Sequence, residues 1–185
     1  APLLQGEHIG ADGIIGLDSL QDQRVLMDFR KGLMAINDAK SLGGNAGYEI
    51  VVTARRMSGQ LIMADARIDG VQTSVVIDTG AENSIGNLAL QRALSRRAHH
   101  GTTTLNSVTG QTIEAQIGFG RALKIQDMQL NNVWIAFAPA PAFDALGLGK
   151  KPALLLGMRD LRSFDRVAID FASRKILFDL PRASL

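Results

Sequence analysis

The segment Val75-Val76-Ile77-Asp78-Thr79-Gly80-Ala81 carries one carboxylate from the end of an apolar, β-branched run into a tight turn. Burying an aspartate there is unfavourable unless it is hydrogen-bonded or paired, so stability alone does not account for it. A carboxylate so placed can take a proton from water or hold one for a reacting atom. Two such groups side by side do both, because neighbouring like charges push their titrations apart and leave one ionised and one protonated. A pair of this kind activates water without a metal or a nucleophilic side chain. Gly80 suits the turn because it lacks a Cβ, which permits unusual dihedrals and the close approach of another backbone. Ala81 is small enough to face a cleft. Glu82 and Asn83 carry less information and read as turn terminators.

Other chemistries find little support. Cysteine is absent, which removes thiolate nucleophiles, disulfides and Cys-based metal sites. His99 and His100 are adjacent and His8 is far away; adjacent histidines do not share a helix face and no acidic pair stands near, so no metal site is expected. Gly147-Leu148-Gly149-Lys150-Lys151 lacks the phosphate-loop spacing and a following helix start. No cofactor is implied. Arg55-Arg56 and Arg96-Arg97 are the only paired arginines, the basic residues are otherwise scattered, and the formal net charge of +2 gives no nucleic-acid footprint. Trp134, alternating with Ala136 between Ile135 and Phe137, reads as core.

The elements that must position Asp78 are mostly strands. Residues 60–68 and 71–77 read as strands joined by Asp69-Gly70, a strong two-residue hairpin signal. Residues 86–94 suit a short helix, with apolar Leu88, Leu90, Ala93 and Leu94. Segments 102–107 and 111–119 flank Val108-Thr109-Gly110 as a second hairpin. Residues 133–138 and 154–156 read as buried strands, and 139–152 as loop. A helical turn or two is expected over 158–164, then closing strands at 167–169 and 175–178. Many short strands with little helix predict an all-β closed or sandwiched domain. With 46% hydrophobic residues in 185, the chain can bury a full core.

An internal repeat organises this order. Ile14-Ile15-Gly16-Leu17 matches Leu155-Leu156-Gly157-Met158, each followed by a leucine four residues past the glycine, Leu20 and Leu161. Arg24-Val25-Leu26-Met27-Asp28-Phe29 matches Arg166-Val167-Ala168-Ile169-Asp170-Phe171, at an offset of 142. Asp28 and Asp170 recur where a strand turns and read as structural. Residues 1–36 are therefore expected to be the tail of an upstream copy, 37–48 a linker rich in small and turn-forming residues, and 49–185 a complete copy. The repeat also predicts that 24–36 pair with or beside 166–179 in one antiparallel sheet, since a dangling pair of apolar strands would leave an adhesive edge.

The hydrophobic-Asp78-Thr79-Gly80-Ala81 run, with Leu154-Leu155-Leu156-Gly157 downstream, resembles the aspartic peptidases, and most closely their retropepsin-like domains. The resemblance implies an all-β, retropepsin-like closed domain with one or two short helices, hydrolysing peptide bonds with Asp78 as one of two catalytic carboxylates. It implies that Thr79 holds the turn by a hydroxyl hydrogen bond across a two-fold axis. It also implies that the strand before Gly157 passes close behind the catalytic turn. Catalytic residues Asp78, Thr79 and Gly80 follow, with substrate contacts at Gly80, Ala81 and a flap tip at Val108, Thr109 and Gly110. A mobile glycine-bearing hairpin suits a flap that excludes water and adds backbone hydrogen bonds to an extended peptide. The tip also reads as an ordinary surface hairpin.

Two departures limit the likeness. The flap has no tyrosine, as the single Tyr48 lies by the linker. Met158 stands where retroviral enzymes place an arginine, with Arg159 one position later, which puts their arginine-based dimer network in doubt. A second Asp-Thr-Gly half is required: either an upstream domain, which the internal repeat favours, or a homodimer partner, which the lone Asp-Thr-Gly of this sequence favours. A non-catalytic peptide-binding module on the same fold is the alternative. No apolar run approaches the roughly 18–20 residues that span a bilayer. Relatives of bacterial type favour export to the periplasm.

Overall fold

The computed structural model describes residues 13–94, 101–106 and 112–181, the side chain of residue 64 excepted. Eleven strands of the described chain follow a short 3-10 turn at Leu17–Leu20 and the hairpin β1 (Arg24–Asp28) and β2 (Leu33–Asn37). They are β3 (Ile50–Thr53), β4 (Arg55–Met57), β5 (Gln60–Ile68), β6 (Val71–Ile77), β7 (Ser84–Gly86), β8 (Thr102–Asn106), β9 (Thr112–Ile125), β10 (Met128–Phe137), β11 (Ala153–Leu156), β12 (Arg166–Asp170) and β13 (Lys175–Asp179). Helices are short: α1 (Leu88–Leu94), α2 (Pro141–Ala145) and α3 (Met158–Leu161). The fold is all-β, as the alternation of short apolar runs predicts. No described helix is long and apolar enough to cross a membrane.

One sheet runs β4-β5-β6-β11-β7-β10-β9-β8, and pairing of β5 with β9 closes its six inner strands into a barrel. The β5–β6 hairpin turns at Asp69 and Gly70, whose φ angles of 51° and 88° are the doubly positive pair of a type I′ turn. The Asp69 carboxylate then accepts the backbone N–H groups of Arg121 and Ala122, tying that turn to β9. Strand β11 enters last and lies between β6, to which it is parallel, and β7, to which it is antiparallel.

The second sheet has the order β2-β1-β12-β13-β3, with β1 antiparallel to β12. Residues 24–37 thus join 166–179 in one sheet, as the repeat predicts. Alternation along the strands sets Val25, Met27, Val167, Ile169, Ile176 and Phe178 on one face, and all six belong to the core shared with the barrel. The other face carries Arg24, whose guanidinium bonds Asp170 at 2.7 and 3.2 Å in near-complete burial. Arg24 also reaches Gly44 O and Asn45, while its counterpart Arg166 bonds Gly47 O and Asp179, both at 2.8 Å, and stacks over Tyr48. The expected linker is therefore pinned across this face.

Several elements differ from the sequence reading. The helix predicted over 86–94 begins only at Leu88, because Gly86 is held in β7 opposite Phe137 and Leu154. A Cβ at Gly86 would meet the Phe137 ring at 2.7 Å. The stretch 139–152 contains α2, started by Pro141, which drives Phe143 into a small outer cluster with Leu146, Leu148 and Leu155. Strands β3, β4 and β7 were not expected; at three or four residues they are too short to show a period.

Candidate active site

Strand β6 delivers Asp78 to the mouth of the barrel. Its backbone N–H donates to Leu156 O at 3.0 Å, the last ladder contact with β11. The chain then turns tightly: Gly80 N–H donates to Asp78 Oδ1 at 3.0 Å and Ala81 N–H to Asp78 O at 3.3 Å. The carboxylate is half-buried, and burial pushes its pKa up, an effect partly opposed by the backbone N–H groups of Gly80 and Ala81. Thr79 and Gly80 are exposed, and the Thr79 hydroxyl has no hydrogen bond among the described residues. Ala81 is half-buried beside them.

The turn is stapled from behind. Met158 N–H donates to Ala81 O and Arg159 N–H to Glu82 O, both at 2.9 Å, and the Glu82 carboxylate accepts from Arg162 at 2.7 Å. Gly157 N–H donates to the buried Ser84 hydroxyl at 3.0 Å, and that hydroxyl bonds the Asp160 carboxylate. Burial raises the Asp160 pKa, while the Ser84 hydroxyl and the Arg159 charge oppose the shift. A Cβ on Gly157 would lie 2.6 Å from the backbone of Asn83, so only glycine lets β11 pass at this distance. Asn87 holds the next stretch: its amide donates to Leu148 O and Lys151 O, and its oxygen accepts from Leu90 and Ala153 N–H. Glu82 and Asn83 thus do more than end the turn. Ser84, Asn87 and Asp160 escaped the sequence reading; polar Ser84 and Asn87 on either side of the two-residue stretch Ile85-Gly86 were the available signal.

Asp78, Thr79 and Gly80 line a cleft of about 730 Å³ between barrel and sheet. Its floor is apolar, with Leu61, Ile77, Met158 and Ile169, and β1–β2 form one wall. The arms expected at 102–107 and 111–119 pair as β8 and the first residues of β9, from Thr102 opposite Gln116 to Asn106 opposite Thr112. The expected flap tip, with Val108, Thr109 and Gly110, lies outside the described residues, as do His8, His99 and His100. Arg159 stacks its guanidinium over Trp134 at 5.9 Å and so serves the barrel surface. Among the described residues no group of three or more His, Cys, Asp or Glu side chains could hold a metal ion.

A closed β-barrel with a strand-end carboxylate in an Asp-Thr-Gly turn, backed by a hydrophobic-hydrophobic-Gly strand, defines the aspartic-peptidase class. The profile of the family described as aspartyl protease matches residues 64–159, just over half of the chain, and the chain belongs to that family. Among solved structures it is similar to a retropepsin-like aspartic protease from Rickettsia conorii, at 19% identity and a TM-score of 0.48. That match covers 71% of this chain and 89% of the other. No curated protein matches the chain.

Proposed function

We propose that the chain forms one half of an aspartic endopeptidase in which Asp78 is one of two catalytic carboxylates. The observation that carries this reading is the half-buried Asp78, its affinity for a proton raised by burial, at the rim of an apolar-floored cleft of about 730 Å³. In the assembled centre a water lies between the two carboxylates. The ionised one takes a proton from the water as its oxygen attacks the scissile carbonyl carbon, and the protonated one gives its proton to the carbonyl oxygen. Breakdown of the tetrahedral diol moves a proton to the leaving nitrogen, and the C–N bond breaks to give acid and amine.

The neighbours have distinct roles in this reading. Thr79, exposed and unbonded here, donates its hydroxyl across the axis relating the halves. Gly80 and Ala81 leave room for the substrate backbone, and Val108, Thr109 and Gly110 close over it as the flap tip. A single carboxylate cannot act as acid and base at once, so hydrolysis requires a second half, from a linked domain or a second copy.

Hydrolysis of a mixed peptide library, measured against pH and protein concentration, tests this. Activity should follow a bell on the acid side of neutral, yield to hydroxyl-bearing transition-state mimics, and vanish in Asp78→Asn with the fold retained. Chelators and thiol reagents should have no effect. Undiminished cleavage by Asp78→Asn would remove the reading. Tight peptide binding without cleavage, in the chain and in its longest natural form, would assign a peptide-binding module instead.

A further inference from the structure

The hairpins β1–β2 and β12–β13 are the same object built twice. Arg24 faces Asn37 and Asp28 faces Leu33, just as Arg166 faces Asp179 and Asp170 faces Lys175. The turns agree in detail: the Asp28 carboxylate accepts Lys31 N–H at 3.0 Å and that of Asp170 accepts Ser173 N–H at 2.8 Å. Gly32 and Arg174, the last residues of the two turns, take φ of 60° and 57°. Antiparallel pairing of Leu26 with Ala168 at the centre of β1 and β12 sets a local two-fold axis between the hairpins.

Their surroundings are not equal. Strand β13 has β3 along its outer edge and the barrel on its inner face; Ile176 and Phe178 are fully buried. Their counterparts on β2, Met34 and Ile36, share the sheet face of Val25 and Met27 but are 58% and 37% exposed. No described strand lies along the outer edge of β2. The same contrast holds upstream. Leu155 and Leu156 are buried between β6 and β7, whereas Ile14 and Ile15 are 57% and 58% exposed and pair with nothing described. Gly157 must be glycine because the backbone of Ala81 and Asn83 crosses it, yet at Gly16 a Cβ would meet only the side chain of Asp18. Residues 13–37 thus keep the form of a barrel's closing segment, down to the glycine, with no second barrel beside them among the described residues.

We propose that 13–37 are the closing segment of a second half-barrel carried earlier on the same polypeptide, which seats on the outer edge of β2, takes Ile14–Ile15 between two of its strands and completes the cleft beside Asp78. This deepens the proposed function by naming the source of the second half, and rests on that reading only for its catalytic consequence. A second copy of this chain does not fit the position. It would arrive with its own β12–β13, and the place opposite β12 is filled by β1, held by a five-residue ladder and by the buried Arg24–Asp170 pair. The local two-fold therefore relates two halves of one polypeptide.

Amide hydrogen exchange and sedimentation, on residues 1–185 and on the full natural polypeptide, test the proposal. Residues 1–185 should sediment as a monomer with fast exchange at 14–15 and along the outer edge of β2. In the full polypeptide, also a monomer, exchange at those amides should slow by at least about tenfold. Gly16→Ala and Met34→Lys should leave 1–185 unaltered, but in the full polypeptide they should return the exchange towards the fast value. Equal exchange in the two forms would overturn the proposal. So would a dimer of 1–185 in which β2 becomes protected, which would make a second copy the partner. Neither readout depends on cleavage: a protected but inactive full polypeptide would refute the proposed function and leave this inference standing.

Discussion

Replacing Gly157 by alanine tests whether the turn behind Asp78 depends on a bare backbone at that point. The added Cβ would sit 2.6 Å from the carbonyl carbon and oxygen of Asn83 and 3.0 Å from Ala81 O. The φ of Gly157 is −84°, open to any residue, so the penalty is steric and not conformational. Alanine narrows the unfolded ensemble, which favours the variant by about 0.4–1 kcal/mol. Against this stands the cost of forcing an atom into a filled site, about 1–3 kcal/mol. Three hydrogen bonds cross the same gap, from Gly157, Met158 and Arg159 N–H to Ser84, Ala81 and Glu82. Losing one of them costs about 0.5–1.5 kcal/mol more. The expected net loss is about 0.5–4 kcal/mol, read as a lower urea midpoint at unchanged slope. Displacement of the 81–84 backbone should also remove hydrolysis wherever it is measurable. A midpoint matching that of the parent would refute the reasoning, because it would mean that β11 and the turn can part at no cost. In residues 1–185, Gly16→Ala is the control, with no backbone atom within 4 Å of its Cβ position.

Arg24→Met leaves the Asp170 carboxylate buried without its partner and should lower stability by about 3–5 kcal/mol near neutral pH, with Arg24→Met/Asp170→Leu recovering most of the loss. Burial pushes Asp170 up, but Ser173 and Arg24 outweigh it and hold the carboxyl below its usual range. The stability it contributes is therefore present above the unfolded pKa and is lost as pH falls through the folded one, so the deficit of Arg24→Met should shrink in acid; urea titrations at neutral and low pH read this, and a pH-independent deficit would refute it. Asp78 behaves oppositely. Its folded pKa is raised, the folded state holds the proton more tightly, and ionisation removes stability as pH rises above the ordinary value of 3.8. Asp78→Asn should then be more stable than the parent near neutral pH and equal to it in strong acid, and identical pH profiles of the melting temperature would count against burial as the cause.

Features carried by neighbours in sequence or by the internal repeat were legible in the sequence. Asp69-Gly70 announces its turn, Val75 to Ile77 its strand, and the Arg-Val repeat the pairing of β1 with β12. Side-chain contacts between distant residues were not. Nothing local to Arg24 shows that it is buried against an aspartate 146 positions away. Ser84 and Asn87 look like ordinary turn residues until Gly157 and the 148–153 segment arrive to bond them. Strand β3 is set by β13, which gives its four residues a partner that their own pattern does not reveal. The site was readable as a motif, but its support was not.

The position of β11 has a kinetic meaning. Strands β6 and β7 leave the ribosome well before residues 153–156, yet neither pairs with the other; each pairs with β11, inserted between them. Until that strand arrives, the 78–84 turn has no ladder behind it and none of the three N–H groups that fasten it. Such sequence-distant pairing slows folding, and synthesis from the N-terminus makes it late. A nascent or prematurely ended chain that lacks Gly157 therefore presents the Asp-Thr-Gly sequence without its geometry. This order of assembly leaves the Asp78 turn unformed until the last barrel strand is in place.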